Sequence, residues 1–328
     1  KVVSHIAAGE ACHDLLHPGE CVRIFTGAML PMGADTVVMQ EQAQRTGDVV
    51  THSDEGLRAG SNVRMRGEQV RAGDLLLKAG THLGPAAIGL LTSVGVRKVS
   101  VYDRPMVRVL RTGGEFVDGS IIPPGRIFSS NDVMLRSALF EDAIHAEPDT
   151  VKDDRRALTK ALSQASSFDA FITTGGVSVG DHDLVRACLE DLGATIHFHG
   201  VAQKPGKPML FATLDDVPVF GLPGNPRAVL VLYYEYVRPF LRAMQGSREP
   251  FLREANLPIA APLQVKGERA EFRAALVRNG CVELLPDEGS HMLRTLTQAN
   301  ALAYLPADRR TWEVGDPIVV HYLPQHEG

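Results

Sequence analysis

Between Met106 and Met244 short apolar runs alternate with helix-like stretches, and this alternation constrains the fold more than any other feature. The runs Met106–Leu110, Ala170–Thr173, Thr195–Phe198, Met209–Ala212 and Val217–Gly221 are too short for helices and read as strands. Between them, Ser130-Asn131-Asp132 is suited to cap a helix through about Asp142. Asp153-Asp154 opens a second, with Leu158, Ala161, Leu162 and Ala165 on one face. Leu184, Val185, Cys188, Leu189 and Leu192 mark a third, which stops at Gly193. Pro226 starts the last, Ala228 to about Met244. Strands and helices in this order predict a parallel sheet covered on both faces. Ligands of such sheets bind beyond the carboxyl ends of the strands.

The flanks have a different character. Residues 1–60 carry short apolar runs, Cys21–Phe25, Thr36–Met39 and Val49–Thr51, separated by turn signals, and predict a small β barrel or sandwich. Residues 61–104 are mixed: a run at Leu75–Leu77, a helix opened by Gly84-Pro85 toward Ser93, and a β-like run at Lys98–Tyr102. After the linker Gly246–Pro250, residues 251–328 return to β character. There Asn279-Gly280 sits between Phe272–Val277 and Val282–Leu285 as a hairpin turn, and Ile318–Tyr322 forms a final strand. The expectation is a multidomain α/β plus β chain. It has a small β domain at 1–60, a mixed linker segment at 61–104, a doubly wound α/β domain at 105–250 and a β-barrel-like domain at 251–328.

Composition narrows the function classes. The 328 residues carry a net charge of −5, which speaks against a general binder of nucleic acid or anionic membranes. Any anion must be held by a local basic pocket. The apolar stretches Gly84–Val96 and Ala228–Val237 fall short of the ~20 residues of a membrane helix, and no secretory signal is visible at the start. Cys12, Cys21, Cys188 and Cys281 form no C-x-x-C pair and read as cytoplasmic thiols.

The 31 Gly and 20 Pro gather in loops. Three follow strands of the α/β region: Arg111–Glu115, Thr173–Asp183 and Gly221–Pro226. A fourth, Lys204-Pro205-Gly206-Lys207-Pro208, lies between strands. None is a dinucleotide fingerprint or a P-loop. Each alone reads as turn chemistry; three on one sheet edge point to a site. Lys204 and Lys207 on a proline-stiffened loop suit a phosphate or other oxyanion, the alternative being a solvated surface pair. Glu115, Asp153, Asp181 and Asp183 suit Mg²⁺, although Asp153 and Asp181 serve equally as helix caps. His182, His197 and His199 lack a third ligand at metal spacing, and Ser178 lacks a nucleophile-elbow context.

Taken together in order, Thr112–Glu115, Thr174–Asp183, Lys204–Pro208 and Gly221–Pro226 resemble the MoeA-type molybdopterin molybdenumtransferases, the family of the gephyrin E domain. The likeness extends to Arg23–Ala28, Pro31–Asp35, Arg66-Gly67-Glu68, Glu271-Phe272-Arg273 and Gly289-Ser290-His291, and so covers nearly the whole chain. The resemblance implies insertion of molybdate into adenylated molybdopterin with release of AMP and a requirement for Mg²⁺. It implies a MogA-like α/β fold and a homodimer with its cleft between chains, with a MogA-type adenylyltransferase as a partner. Glu115, Asp153, Asp183, Lys204 and Lys207 match the family's catalytic positions, with Glu115 and Asp183 as metal ligands. Thr26, Thr112, Gly175, Gly176, Ser178, Pro223, Asn225, Pro226, Arg269 and Ser290 match its substrate-binding positions.

Three departures stand out: Gly114 and Gln69 replace Asp, and Arg227-Ala228 replaces Val-Ser. The resemblance also implies a helical segment and an Asp-Gly-Tyr-Ala motif ahead of Lys1, so the sequence is expected to be part of a longer chain. Two other readings follow. One is a diverged, non-catalytic molybdopterin-binding scaffold. The other is a CinA-type nucleotide hydrolase, disfavoured by the β segments at both ends.

Overall fold

The computed structural model describes all residues except 12–14, 54, 118, 120, 153, 178–183, 287–288 and 325–328. Two compact units emerge, Lys1–Lys78 and Ala79–Gly328. In the first, β1 (Val2–Ile6) pairs in parallel with β2 (Cys21–Ile24), and β3 (Ala43–Thr46) forms a hairpin with β4 (Val49–His52). The expected strand at Thr36–Met39 does not form. The backbone of Val37 is instead bonded to the turn that follows, its N–H donating to Ser61 O at 3.0 Å and its carbonyl accepting from Asn62 Nδ2 at 2.8 Å. Leu75–Leu77 is no strand either.

The second unit opens with α1 (Pro85–Ser93), started by Pro85 as the sequence predicts. Lys98–Tyr102 lacks strand structure and is exposed, with Val101 at 64%. The α/β part then runs β5 (Met106–Thr112), β6 (Phe116–Val117), β7 (Ile127–Phe128), α2 (Asn131–Glu141), β8 (His145–Val151), α3 (Arg155–Leu162), β9 (Ala170–Thr174), α4 (Leu184–Asp191), β10 (Thr195–His199), β11 (Gln203–Lys204), β12 (Leu210–Leu214), β13 (Val217–Leu222), α5 (Pro226–Leu232) and α6 (Arg238–Met244). A π turn at Tyr233–Val237 joins the last two into one continuous helix. Asp154 caps α3 by accepting from Ala157 N at 2.9 Å. Ser130 makes no side-chain cap on α2; Ser129 bonds Asp132 there instead, at 2.6 Å.

The main sheet has the order β10-β12-β13-β9-β5-β8. β13, β9, β5 and β8 are parallel, but β12 is antiparallel to both its neighbours, so the sheet is mixed rather than purely parallel. The cause is the two-residue turn Asp215-Asp216, whose φ values of 50° and 64° fit a primed hairpin. Such a turn can join only antiparallel strands. β8 escaped the sequence reading because it is polar and carries Pro148. It is an edge strand, where a missing N–H is tolerated.

Alternation places side chains on both faces. Val107, Val109, Ala170 and Ile172 face α2 and the α5–α6 helix, while Leu110 and Phe171 face α3 and α4. Each fully buried side chain of this size contributes about 1.5–3 kcal/mol. Arg238 Nε meets Asp142 Oδ2 at 2.8 Å in the first of these layers, with both side chains at most 10% exposed. Breaking such a pair by removing one partner costs about 3–5 kcal/mol.

The C-terminal part comprises β14 (Glu254–Pro258), β15 (Leu263–Gln264), β16 (Ala270–Arg278), β17 (Cys281–Leu284), β18 (Ala301–Leu305), β19 (Thr311–Trp312) and β20 (Pro317–Tyr322). The Asn279-Gly280 hairpin forms, with φ values of 51° and 75°. The sheet order is β11-β16-β18-β20-β14. One face of it, through Phe272, Ala274 and Leu302, joins the core around the α5–α6 helix. The other face, through Ala275, Ala301, Ala303 and Val320, closes a core of its own.

His321 on β20 ties this sheet to the π turn: Nδ1 meets Glu235 Oε2 at 2.8 Å and Nε2 meets Glu254 Oε1 at 3.5 Å. Burial pulls the imidazole pKa down, but the Glu235 hydrogen bond and the charges of Glu235 and Glu254 outweigh it and leave the pKa raised. The stabilisation is therefore complete below the unfolded value of about 6.5 and fades as pH rises through the higher folded value. Urea unfolding followed across pH 5.5–9 should show this alkaline loss, and His321→Gln should flatten it; an unchanged profile in the variant would refute the assignment.

Candidate functional site

The carboxyl ends of β5, β9 and β13 come together as the alternation requires. Gly175 N donates to Leu222 O at 3.0 Å, and Thr112 Oγ1 donates to Thr174 O at 3.2 Å. A Cβ on Gly175 would lie 2.8 Å from Thr112 Oγ1, and one on Gly176 would lie 3.3 Å from the same atom, so only glycine fits this three-loop junction. Thr112, Gly175 and Gly176 are thereby assembled. Glu115 follows on the first loop, exposed, with its backbone carbonyl accepting from Ile127 N at 2.9 Å. Among the described residues its carboxylate makes no ion pair.

α2 braces these loops from the side. Asn131 is 5% exposed, and its Nδ2 donates to Gly224 O at 2.8 Å, so the first helical residue of α2 holds the third loop. Arg111 Nη1 reaches Asp132 at 3.4 Å. The sequence reading assigned no role to Asn131 beyond helix capping. Its pairing with a loop 93 residues away is a tertiary contact with no local signal.

A cleft of about 400 Å³ opens beside the third and fourth loops. Its wall includes Lys204, Lys207, Pro223, Asn225, Arg227, Ala228, Arg269, Glu271, Arg273 and Ser290. Among the described residues it thus presents five cations and one carboxylate, in a chain whose net charge is −5. The lysine loop and the third loop come from the α/β part, and Arg269, Arg273 and Ser290 from the C-terminal part. β11 and β16 bring the two sides together by pairing in parallel, with Lys204 opposite Glu271. Arg269 Nη1 donates to Gln203 O at 3.0 Å, and Arg227 N donates to Ser290 O at 3.1 Å. Pro226, which begins α5, stands in sequence between the lining residues Asn225 and Arg227.

Of the residues singled out by sequence, Lys204, Lys207, Pro223, Asn225, Arg269 and Ser290 share this cleft. Thr26 lies in the first unit, exposed in the turn after β2, where Ala28 N donates to Phe25 O at 2.9 Å. Asp153, Ser178, Asp181, His182 and Asp183 fall outside the described residues. His197 and His199 are taken up locally: His197 Nε2 lies 3.1 Å from Thr213 Oγ1, and His199 Nε2 lies 3.4 Å from Val177 O. Arg227 and Ala228, together one of the three departures, both reach the cleft wall. Gly114 is exposed, and a Cβ there would stand 4.0 Å from Arg126 Nη1.

Comparison with known proteins gives the family. Residues 1–95 match the model of the MoeA N-terminal region (domain I and II), 108–243 a probable molybdopterin binding domain, and 256–323 the MoeA C-terminal region (domain IV). A molybdopterin molybdenumtransferase of Nostoc sp. is 37% identical over 99% of this chain and 77% of its own length. The chain belongs to the MoeA-type molybdopterin molybdenumtransferase family. A second relative of that name, from Bacillus subtilis, is 32% identical over 100% of this chain and 79% of its own. The crystal structure of a molybdopterin biosynthesis MoeA protein from Pyrococcus horikoshii superposes with a TM-score of 0.80. It is 25% identical and covers 98% of this chain and 80% of that one.

In the lysine loop beside this cleft Gly206 has φ +97°, and a Cβ there would come within 2.8 Å of Leu232 on α5. Gly206→Ala should therefore displace the lysine loop. A stability loss of about 1–3 kcal/mol is expected in urea titration, together with weaker sulfate binding by calorimetry. Wild-type values for both would show that the loop does not depend on this close approach.

Proposed function

We propose that the protein inserts molybdate into adenylated molybdopterin and releases AMP, as the names of its relatives suggest. The observation that carries this reading is the concentration of Lys204, Lys207, Arg227, Arg269 and Arg273 around one cleft of an acidic chain. Molybdate is a tetrahedral dianion. Fixed cations stabilise such a charge without reorganising, which is the largest contribution of many active sites. In this reading Lys204, Lys207, Arg269 and Ser290 hold the oxyanion. The bare backbone around Thr112, Gly175 and Gly176 admits the phosphate-bearing pterin, and Pro223, Asn225 and Pro226 shape the wall between. Thr26 and Ser178 are proposed substrate contacts, and Asp153 a catalytic acid.

Mg²⁺ fits the donor chemistry. Glu115 offers an exposed hard carboxylate, and Mg²⁺ is commonly held by one or two carboxylates plus substrate phosphates. Glu115 and Asp183 are the proposed holders. When bound, the ion would polarise the phosphoanhydride and neutralise charge on the departing phosphate. The remaining work falls to the chain: the lysines orient the dianion, and the glycine junction lets the substrate's phosphate approach the backbone.

A homodimer, a MogA-type adenylyltransferase as the source of the adenylated substrate, and a cytoplasmic location belong to the same proposal. So does the division into segments 1–60, 61–104, 105–250 and 251–328. No helix of the described residues is long and apolar enough to cross a membrane.

The test is molybdate-dependent AMP release from adenylated molybdopterin by the full-length protein. The double variant Lys204→Ala/Lys207→Ala should lower it by about 10²-fold or more while circular dichroism stays native. Retained turnover would remove the lysines from the mechanism. Glu115→Gln should raise the Mg²⁺ concentration needed for half-maximal release by roughly tenfold or more, since even a partner of a metal ligand is typically worth ~10–100-fold. An unchanged Mg²⁺ dependence would remove Glu115 from the metal site.

A further inference from the structure

The cations of the cleft come from two sides, so its fit to an anion depends on whatever fixes the distance between them. Gln203, beside Lys204 on β11, touches both sides and is 3% exposed. On one side its backbone carbonyl accepts from Arg269 Nη1 at 3.0 Å. On the other its side chain reaches into the lysine loop, where Nε2 donates to Pro205 O at 3.0 Å. Val201 N closes the base of that loop by donating to Lys207 O at 2.8 Å. Pro205 stands between the two lysines, so the amide bond holds the stretch of backbone from which both hang.

The amide can do this in one orientation only. Pro205 O is an acceptor, so the NH₂ end must face it and the amide oxygen must face away. Tyr236 on the π turn secures that orientation by donating its hydroxyl to Gln203 Oε1. Burial, with the charge of Glu235 adding to it, raises the phenol pKa above its ordinary value, so the hydroxyl keeps the proton it donates. Each end of the buried amide therefore has a partner, and losing either leaves a polar atom unsatisfied.

We propose that Gln203 is a positioning residue for oxyanion binding: it sets Lys204 and Lys207 against Arg269, with Tyr236 fixing the direction of its amide. The proposal rests on the oxyanion reading of the cleft and adds the residue that preorganises it. Gln203 acts through the lysine loop rather than on the anion itself. Cations already in place lose little freedom when the anion arrives, and affinity is gained from that saving.

The experiment is calorimetric titration of sulfate into the full chain at pH 5.5 and pH 8.5, a range in which sulfate does not titrate, with molybdate added as a second probe at pH 8.5. Wild type is compared with Gln203→Met, Gln203→Glu and Tyr236→Phe, and circular dichroism and thermal unfolding are recorded for each. Gln203→Met keeps the size of the side chain but cannot donate. Its affinity should fall roughly tenfold at both pH values, as for a lost hydrogen bond that leaves buried groups unpaired. Gln203→Glu is the discriminating variant. Burial raises a carboxyl pKa, so at pH 5.5 the neutral acid donates its O–H to Pro205 O and accepts from Tyr236 as the amide does. Its affinity relative to wild type should be near normal there and fall at pH 8.5, where the carboxylate has no proton to donate. Tyr236→Phe should cost roughly threefold at both pH values, because the bond to Pro205 survives without its brace. Wild-type affinity in Gln203→Met, or a Gln203→Glu variant that at pH 5.5 binds no better than Gln203→Met, overturns the proposal. Should Gln203→Met fail to fold, wild-type affinity in Tyr236→Phe overturns it. If wild type binds neither sulfate nor molybdate, the oxyanion reading of the cleft itself fails.

Discussion

Two residues of backbone pairing hold the candidate site together. β11, which is only Gln203–Lys204, leaves the α/β part and adds in parallel to β16 of the C-terminal sheet. This register sets Lys204 opposite Glu271 and brings Arg269 within reach of the Gln203 carbonyl. The lysine loop follows immediately, so its cations face those of β16 across a narrow gap. Without this pairing the two basic groups would sit on separate surfaces, where screening makes each worth little.

The same junction explains why the surrounding core is continuous. Phe272 and Ala274 on β16 and Leu302 on β18 pack into the apolar layer around the α5–α6 helix. Gln203 itself is buried: its Nε2 donates to Pro205 O at 3.0 Å, and its Oε1 accepts from Tyr236 on the π turn. A cleft built on such a seam keeps its geometry because the groups behind it are packed and hydrogen-bonded. Preorganised charge is what an acidic chain needs if it is to hold a dianion.

The sequence was most legible where the physics is local. Apolar runs of the right length located β5, β9, β10, β12 and β13, and the Asn279-Gly280 turn located its hairpin, because strand burial and positive φ leave direct marks in composition. It was least legible where pairing outweighs propensity. Lys98–Tyr102 has the composition of a strand but no neighbour to pair with, and β8 has a poor composition yet finds an edge. Asp215-Asp216 shows the middle case: its effect on strand direction follows from backbone angles that Asp only sometimes adopts.

By itself, the sequence determined that an acidic chain would carry glycine- and proline-rich loops at one sheet edge. It also determined which residues would be found there: Lys204, Lys207, Pro223, Asn225, Thr112, Gly175 and Gly176. The ordered motifs were enough to place the chain in its family. The resemblance named Arg269 and Ser290; only the tertiary structure decided that they share one cleft with the lysine loop, more than 60 residues earlier in the chain, and that Arg273, paired with Glu271, joins its wall. The reason is physical. Loop composition is dictated by local backbone geometry, whereas a charge constellation is dictated by strand register, and register is a property of two segments at once.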